Sequence, residues 1–289
     1  MSPERVYILG ATGNVGKVAT QDLLKNGVPV TVLVRSVEKA KTLFPDQQNL
    51  TIVQGDYDDL TPFKNSIGGH TRLLLSIADL VHFKEVKSAF AEVAYAAGVQ
   101  QIVDISSSAI EYPRYTCWIG QQSWEAEEAV RSIPNRGTFV ALRPTRFMSN
   151  IFFGDIYTLK AHDTLFDGYA ADHPVDYIST NDIGALAAIV LQDPIEKHGN
   201  MAYDMKGDVL TGPQRAEVLS RVLGRPIRFQ TVSADQVYQN IVKHRGHLFA
   251  YSQAIQRDIG VKSVGLPILL GREPETYEEY MSSVKSALL

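Results

Sequence analysis

The chain has 289 residues, 45% of them hydrophobic and 21% charged, with a formal net charge of -4 and a single cysteine. That length suits one large domain or two closely associated lobes, with a core that needs neither disulfides nor a structural metal. The lone Cys117 excludes an internal disulfide and a multi-cysteine zinc site and fits a reducing cytosol, and a slightly acidic chain without a Lys/Arg cluster argues against broad nucleic-acid binding.

No stretch approaches the roughly 18 consecutive apolar residues of a membrane span. The opening MSPERVYILGATG passes into an apolar run within a few residues and is expected to carry no signal peptide. A cytoplasmic globular protein is expected.

Short apolar, β-branched runs at 6–9, 30–34, 50–53, 72–76, 101–106 and 138–142 alternate with helical periodicity at 15–26, 37–43, 82–97 and 121–132. Strands apolar throughout, rather than alternating, are expected where helices cover both faces of a sheet. The repeated order predicts an α/β fold with a doubly wound parallel sheet over about 1–150.

Past residue 150 the rhythm changes. Residues 154–174 read as irregular, followed by a strand at 175–178 and an apolar helix at 183–191. Strands at 201–205 and 227–232 flank an amphipathic helix at 214–223, and 234–245, 249–259 and 275–289 read as helices. With too few strands for a sheet of its own, 151–289 is expected to be a smaller lobe, interleaved with the sheet and folded over its carboxyl edge.

Gly10-Ala11-Thr12-Gly13-Asn14-Val15-Gly16 follows the first strand and opens the first helix. Glycines there let backbone N–H groups approach a pyrophosphate, and the helix N-terminus adds favourable partial charge. The competing reading is a tight strand–helix turn without a ligand; position and context favour the phosphate loop. About 20 residues on, where an acidic residue would accept from an NAD ribose, stands Arg35. Arg35, Ser36 and Lys39 suit a 2′-phosphate, which a carboxylate would repel, so NADP(H) is the expected cofactor. Arg35 as a merely solvated strand end is the bland alternative. After the third strand, Asp56 can accept from an adenine amino group, while Asp58 or Asp59 can cap a short helix near Leu60.

These residues resemble the NmrA-like family of atypical short-chain dehydrogenases/reductases. The likeness is carried by GATGNVG, the VR after strand two, GDYDD after strand three, ISSSA, LRPTRFMSN, YISTNDIGALAAIVL and YDMKGDVLTGPQRAEVLSRVLGRPIRF, and it spans nearly the whole chain. It implies a Rossmann domain, a small C-terminal α/β lobe and a cleft between them. It implies that Gly10, Thr12, Gly13, Asn14, Val15 and Gly16 hold the pyrophosphate, that Arg35, Ser36 and Lys39 select NADP(H), and that Asp56 and Tyr57 border the adenine. Ser76, Ile77, Ser106, Ser107, Pro144, Thr145 and Phe147 would approach the ribose and nicotinamide.

The acid–base pair of ordinary short-chain dehydrogenases, Tyr-x-x-x-Lys, is missing: no tyrosine here has a lysine four residues on. Some members of the resembled family place a Lys or His one turn before a Glu on this helix; aligned on Glu127, that place holds Ser123, a poor proton donor. Tyr112 and Tyr115 are further candidate donors, although a loop tyrosine more often packs its ring. Trp118, Gln122 and Phe152 are candidate substrate contacts. Cys117 is expected to be inert and partly buried, and the histidines, including His244 and His247, have no metal-ligand spacing. Asp182 is expected to help start its helix, and the acidic 275–279 stretch to open the last one.

Three functions compete. The first is an NADPH-dependent oxidoreductase passing hydride to a small conjugated or aromatic carbonyl, quinone- or enone-like, whose delocalised anion tolerates the missing pair. The second is a non-catalytic NADP(H) sensor of the NmrA type acting on a protein partner. The third, a non-redox cyclase or isomerase, reuses the fold. A small molecule is the expected partner, with neither nucleic acid nor membrane.

Overall fold

The computed structural model describes residues 4–45, 48–246, 262 and 265–289. The helix expected over 249–259, and His247, lie outside the described residues. The first half runs β1 (Val6–Leu9), α1 (Asn14–Lys25), β2 (Val30–Val34), α2 (Val37–Leu43), β3 (Leu50–Gln54), α3 (Thr61–Ser66), β4 (Arg72–Leu75), α4 (Phe83–Ala96), β5 (Gln101–Ile105), α5 (Trp118–Arg131) and β6 (Thr138–Pro144). There follow β7 (Arg146–Phe147), α6 (Asp155–His162), β8 (Thr164–Asp167), β9 (Val175–Ile178), α7 (Thr180–Gln192), α8 (Ile195–His198) and β10 (Ala202–Met205). The last segment holds β11 (Asp208–Leu210), α9 (Gly212–Leu223), β12 (Arg228–Thr231), α10 (Ala234–Arg245), α11 (Gly265–Leu270), α12 (Tyr277–Ser283) and α13 (Lys285–Leu288).

Seven strands form a parallel sheet in the order β10-β6-β5-β4-β1-β2-β3. The chain runs outward from β1 through β2 to β3, then crosses back to β4 on the other side of β1, which makes β1/β4 the topological switch point. Leu9 lies opposite both Leu33 and Leu75, so the carboxyl ends of the central strands are level.

Every residue of β1, β2, β4 and β5 is buried. Helices on both faces remove the alternation a half-exposed strand would display. Tyr7, Leu9, Leu73, Leu75, Ile102 and Phe139 pack on one face with Phe63, Phe90, Ala94, Ala126 and Val130 of α3, α4 and α5. On α7, a Cβ at Gly184 would come within 2.6 Å of the Val18 Cβ on α1, so only glycine lets these helices approach so closely.

The described residues divide into two compact units. The first draws on Met1–Ile110, Ile119–Arg143 and Ile183–Tyr203; the second on Glu111–Trp118, Pro144–Asp182 and Asp204–Leu289. The expectation that the later part lacks sheets of its own is corrected. β11-β9-β7 form a three-stranded sheet and β12-β8 a two-stranded one. The stretch 154–174, expected to be irregular, contains α6 and β8. These strands have two to four residues, too few for a periodicity to register. Met148, Leu159, Leu165, Leu219, Tyr277 and Met281 are among the residues of this unit's core.

Candidate cofactor and active site

Gly10 ends β1 with φ +78, the left-handed region, and a Cβ there would overlap the Ser76 carbonyl oxygen at the end of β4. A Cβ at Gly16 would in turn overlap the Gly10 carbonyl oxygen. Glycine is therefore required twice for one tight turn against a neighbouring strand. The Gly13 N–H donates to the Gly10 carbonyl at 3.0 Å and closes that turn. α1 then starts with no side-chain cap and no acidic residue in its first turn. By contrast Ser36 caps α2, and Thr211, Ser233 and Thr276 form capping boxes on α9, α10 and α12. The first N–H groups of α1, beside exposed Gly13 and Asn14, thus keep the partial positive charge that suits a phosphate. Thr12 is half-buried, whereas the Val15 side chain packs inward and offers only backbone.

Arg35, Ser36 and Lys39 are all exposed past the end of β2. The Ser36 hydroxyl accepts the Lys39 N–H at 3.2 Å, so its first task is to begin α2. Half-buried Tyr57 lies within electrostatic reach of Arg35: burial raises its pKa, the Arg35 charge lowers it and Asp79 raises it. The Tyr57 ring meets Phe90 edge-on at 5.9 Å. Of the acidic run, exposed Asp56 accepts the Asp58 N–H at 3.1 Å. Asp59 accepts the Thr61 N–H at 2.8 Å, but Leu60 occupies the N-cap position of α3, so neither Asp58 nor Asp59 caps that helix.

At the end of β4, Ser76 is half-buried and Ile77 packs in the core. One strand further, buried Ser106 donates to Glu127 Oε1 at 2.6 Å. Glu127, on α5, is also held by Arg143 of β6 through Nε at 3.0 Å and Nη2 at 2.7 Å. Burial raises the Glu127 pKa, but the bonds from Arg143 and Ser106 outweigh it and leave the carboxyl below its usual range. Beneath this layer Lys87 of α4 and Asp104 of β5 form a fully buried ion pair at 2.7 Å. Burial pushes Lys87 down and Asp104 up, each countered in part by the other. The Ser107 hydroxyl accepts the Ala109 N–H at 3.2 Å. Gly10, Arg35, Asp56, Ser76 and Ser106 therefore stand at the carboxyl ends of five adjacent strands of the first unit.

The sequence singled out neither Lys87 nor Arg143, and Glu127 only as an alignment anchor. Their signals were present: Lys87 shares the buried stripe of Phe83, Phe90 and Ala94, and Arg143 interrupts an apolar strand.

Ser123 is fully buried, and its hydroxyl has no hydrogen-bond partner among the described residues. It has no surface from which to touch a substrate in this conformation. Tyr112 is half-buried, while Tyr115 is 84% exposed and adopts φ +67, an unusual state for an aromatic residue. Cys117 is buried, whereas Trp118, Gln122 and Phe152 are half-buried. Pro144 and Thr145 are buried; the Thr145 hydroxyl donates to the Asp176 carbonyl at 3.4 Å. Asp182 lies in the first turn of α7, but Ser179 caps that helix by accepting the Asp182 N–H at 3.0 Å. The Asp182 carboxylate instead accepts the Glu275 N–H at 2.7 Å and pairs with Arg272 at 2.6 Å. Glu278 and Glu279 lie in the first turn of α12, whereas Glu275 precedes it, and the single helix expected over 275–289 is instead α12 followed by a separate α13. His244 stacks on Tyr157 at 3.6 Å. Among the described residues no cluster of His, Cys, Asp and Glu could hold a metal, and no helix is long and apolar enough to cross a membrane.

The second unit contains a polar cluster of its own. Arg215 of α9 pairs with Asp155, lies 3.7 Å from Asp167 and donates to the Tyr277 hydroxyl at 3.2 Å. Arg146 approaches the same Asp167 at 3.9 Å.

The model of the NmrA-like family matches residues 2–281. The chain belongs to the NmrA-like family. A relative from Streptomyces griseus, (4-alkanoyl-5-oxo-2,5-dihydrofuran-3-yl)methyl phosphate reductase, is 32% identical over 80% of this NmrA-like chain and 78% of its own. An NAD(P)H azoreductase of Xenophilus azovorans is 26% identical over 81% and 79%. Among solved structures, the Citrobacter sp. triphenylmethane reductase complexed with NADP(H) has a TM-score of 0.79 at 25% identity, covering 98% of this chain and 99% of that one.

Proposed function

We propose that this NmrA-like protein binds NADP(H) along the carboxyl edge of its parallel sheet and reduces a small conjugated or aromatic carbonyl compound of the quinone or enone type. The observation that carries the cofactor half is the uncapped N-terminus of α1 behind a turn that a Cβ would fill. Arg35 and Lys39 supply cations for a 2′-phosphate, and their exposure leaves them available to it. Asp56 and Tyr57 border the adenine. Ser76 and Ser106 face the ribose, with Glu127 and Arg143 fixing the Ser106 side chain.

When bound, the dinucleotide supplies a hydride, two electrons with one proton, and the acceptor takes a second proton from water or a loop hydroxyl. NADPH, an enone and one proton thus give NADP+ and the saturated ketone. The chain's own part is to orient the reactants and to offer a donor; Tyr112 and Tyr115 are the hydroxyls proposed for it. Support for reduction comes from the relatives, which are named as reductases, one of them for an oxo-dihydrofuran bearing an alkanoyl group. NADPH absorbance is expected to fall catalytically with a panel of quinones and enones.

A second reading, NADP(H) sensing without turnover, is favoured by one observation: the place of the missing acid–base residue is taken by Ser123, which is fully buried. Tight NADPH binding with no turnover across the panel would select it.

A further inference from the structure

Lys87 of α4 is a fully buried cation whose task the cofactor residues leave open. Its ammonium has three N–H donors and meets three groups. It pairs with Asp104 Oδ1 at 2.7 Å, donates to the Ile105 carbonyl oxygen at 2.9 Å and lies 3.5 Å from the centre of the Phe83 ring. With no exposed surface and no donor to spare, Lys87 touches neither cofactor nor substrate in this conformation. Burial works against the ammonium, and Asp104 and then Glu127 favour it. Stability alone is a weak account of such a pair: the attraction within a buried ion pair often only offsets its desolvation, and an apolar pair of similar volume is frequently as stable.

What Lys87 does hold is the carboxyl end of β5. The pairing of β4 with β5 closes at Leu75 opposite Asp104, so the Ile105 carbonyl that Lys87 binds lies past the last pair on that side. The N–H of the same peptide unit, that of Ser106, donates to the Leu142 carbonyl of β6 at 2.7 Å. The Ile105–Ser106 peptide is thus pinned at both ends, from α4 and from β6. A buried carbonyl deprived of its donor would turn to find another. Glu127 fixes the Ser106 side chain, and the next residue, Ser107, is half-buried. The Ser107 hydroxyl accepts the Ala109 N–H, which leaves its own O–H to donate.

The strand order says which end of the cofactor this segment meets. Arg35 and Asp56 follow β2 and β3 on one side of the β1/β4 switch point, and β5 lies on the other. A dinucleotide with its adenine and 2′-phosphate over β2 and β3 brings its nicotinamide-side ribose to β5. We infer that Lys87 is a positioning residue for the cofactor: by pinning the Ile105–Ser106 peptide it aims the Ser106–Ser107 segment at the nicotinamide-side ribose. Its link to the cofactor rests on the reading that places this segment at the ribose, and two variants separate the one from the other.

The full chain is titrated by calorimetry with NADPH and with adenosine 2′,5′-bisphosphate, which carries the adenine, its ribose and the 2′-phosphate but no nicotinamide riboside. Lys87→Met alone leaves a buried carboxylate unpaired, which destabilises the fold by itself. The deciding variant is therefore Lys87→Met/Asp104→Leu, which removes both charges together. Its melting temperature is expected to stay near native, its NADPH affinity to fall roughly tenfold, and its affinity for the bisphosphate to stay native. An ion pair that only stabilised the fold would leave both affinities native in this variant. That result, or equal losses for the two ligands, overturns the positioning role. Ser107→Ala tests the contact itself and is expected to weaken NADPH and not the bisphosphate. Native NADPH affinity in Ser107→Ala, together with the selective loss in the double variant, would sink the Ser107 contact and leave Lys87 positioning the main chain at Ser106.

Discussion

Glu127→Gln isolates one charge in the layer behind Ser106. The native carboxylate, 2% exposed, accepts one bond from Ser106 and two from Arg143. Glutamine keeps the shape and one acceptor but turns an NH2 group towards donors. Hydrogen bonds to charged groups are worth about 1.5–3 kcal/mol each. The Arg143 side chain is 24% exposed, so water recovers part of the loss, and a net cost of about 2 kcal/mol is expected. At roughly 2–4 °C per kcal/mol for domains of this size, the melting temperature should drop by about 4–8 °C.

The pH dependence follows from the direction of the shift. The folded-state pKa of Glu127 lies below its ordinary value of 4.5, so its stabilisation is fully present above pH 4.5 and is lost as pH falls through the folded value. Urea denaturation of both proteins from pH 7 down to 3 should show a gap that is constant above 4.5 and narrows below it. Equal stability at pH 7, or a gap that stays constant to pH 3, would refute the claim that the charge holds this layer together.

Arg35→Asp should weaken NADPH binding by about ten- to a hundredfold and NADH binding far less, as measured by titration of protein fluorescence; equal losses would remove the 2′-phosphate assignment. Gly10→Ala places a side chain at φ +78, where the backbone strain is about 1–2 kcal/mol, and drives it into the Ser76 carbonyl. Its expected signature is both a lower denaturation midpoint and at least tenfold weaker NADPH binding. Ser123→Ala deletes a buried hydroxyl that lacks a partner and should leave turnover within a few-fold of native. A loss of several orders of magnitude would make Ser123 part of the chemistry.

The main sheet was legible because its strands are apolar on both faces and its helices are long enough to display a period. β1 and β2 begin and end where the apolar runs do. The glycine spacing was legible because two of its residues admit no side chain, a constraint written directly into residue type. What escaped notice depends on contacts far apart in sequence. Ser106, Glu127 and Arg143 meet only once β5, α5 and β6 are assembled. Arg215 sits among Ala216, Leu219 and Val222 on the buried side of α9, but its partners Asp155, Asp167 and Tyr277 come from 48 to 62 residues away. Short strands such as β7 and β11 form through tertiary pairing rather than local preference, so no window of sequence could announce them.

Under the proposed function, this chain moves a hydride from NADPH to a conjugated carbonyl ring. Incubation with NADPH carrying two deuteriums at nicotinamide C4 and with cyclohex-2-enone, followed by mass spectrometry of the product, tests it most directly. The account predicts cyclohexanone carrying one deuterium per NADPH consumed, delivered by the native protein and lost in proportion to NADPH affinity in Arg35→Asp. Tight NADPH binding with unlabelled, unreduced enone, repeated with quinones, would contradict it and leave a protein that reads the dinucleotide without spending it.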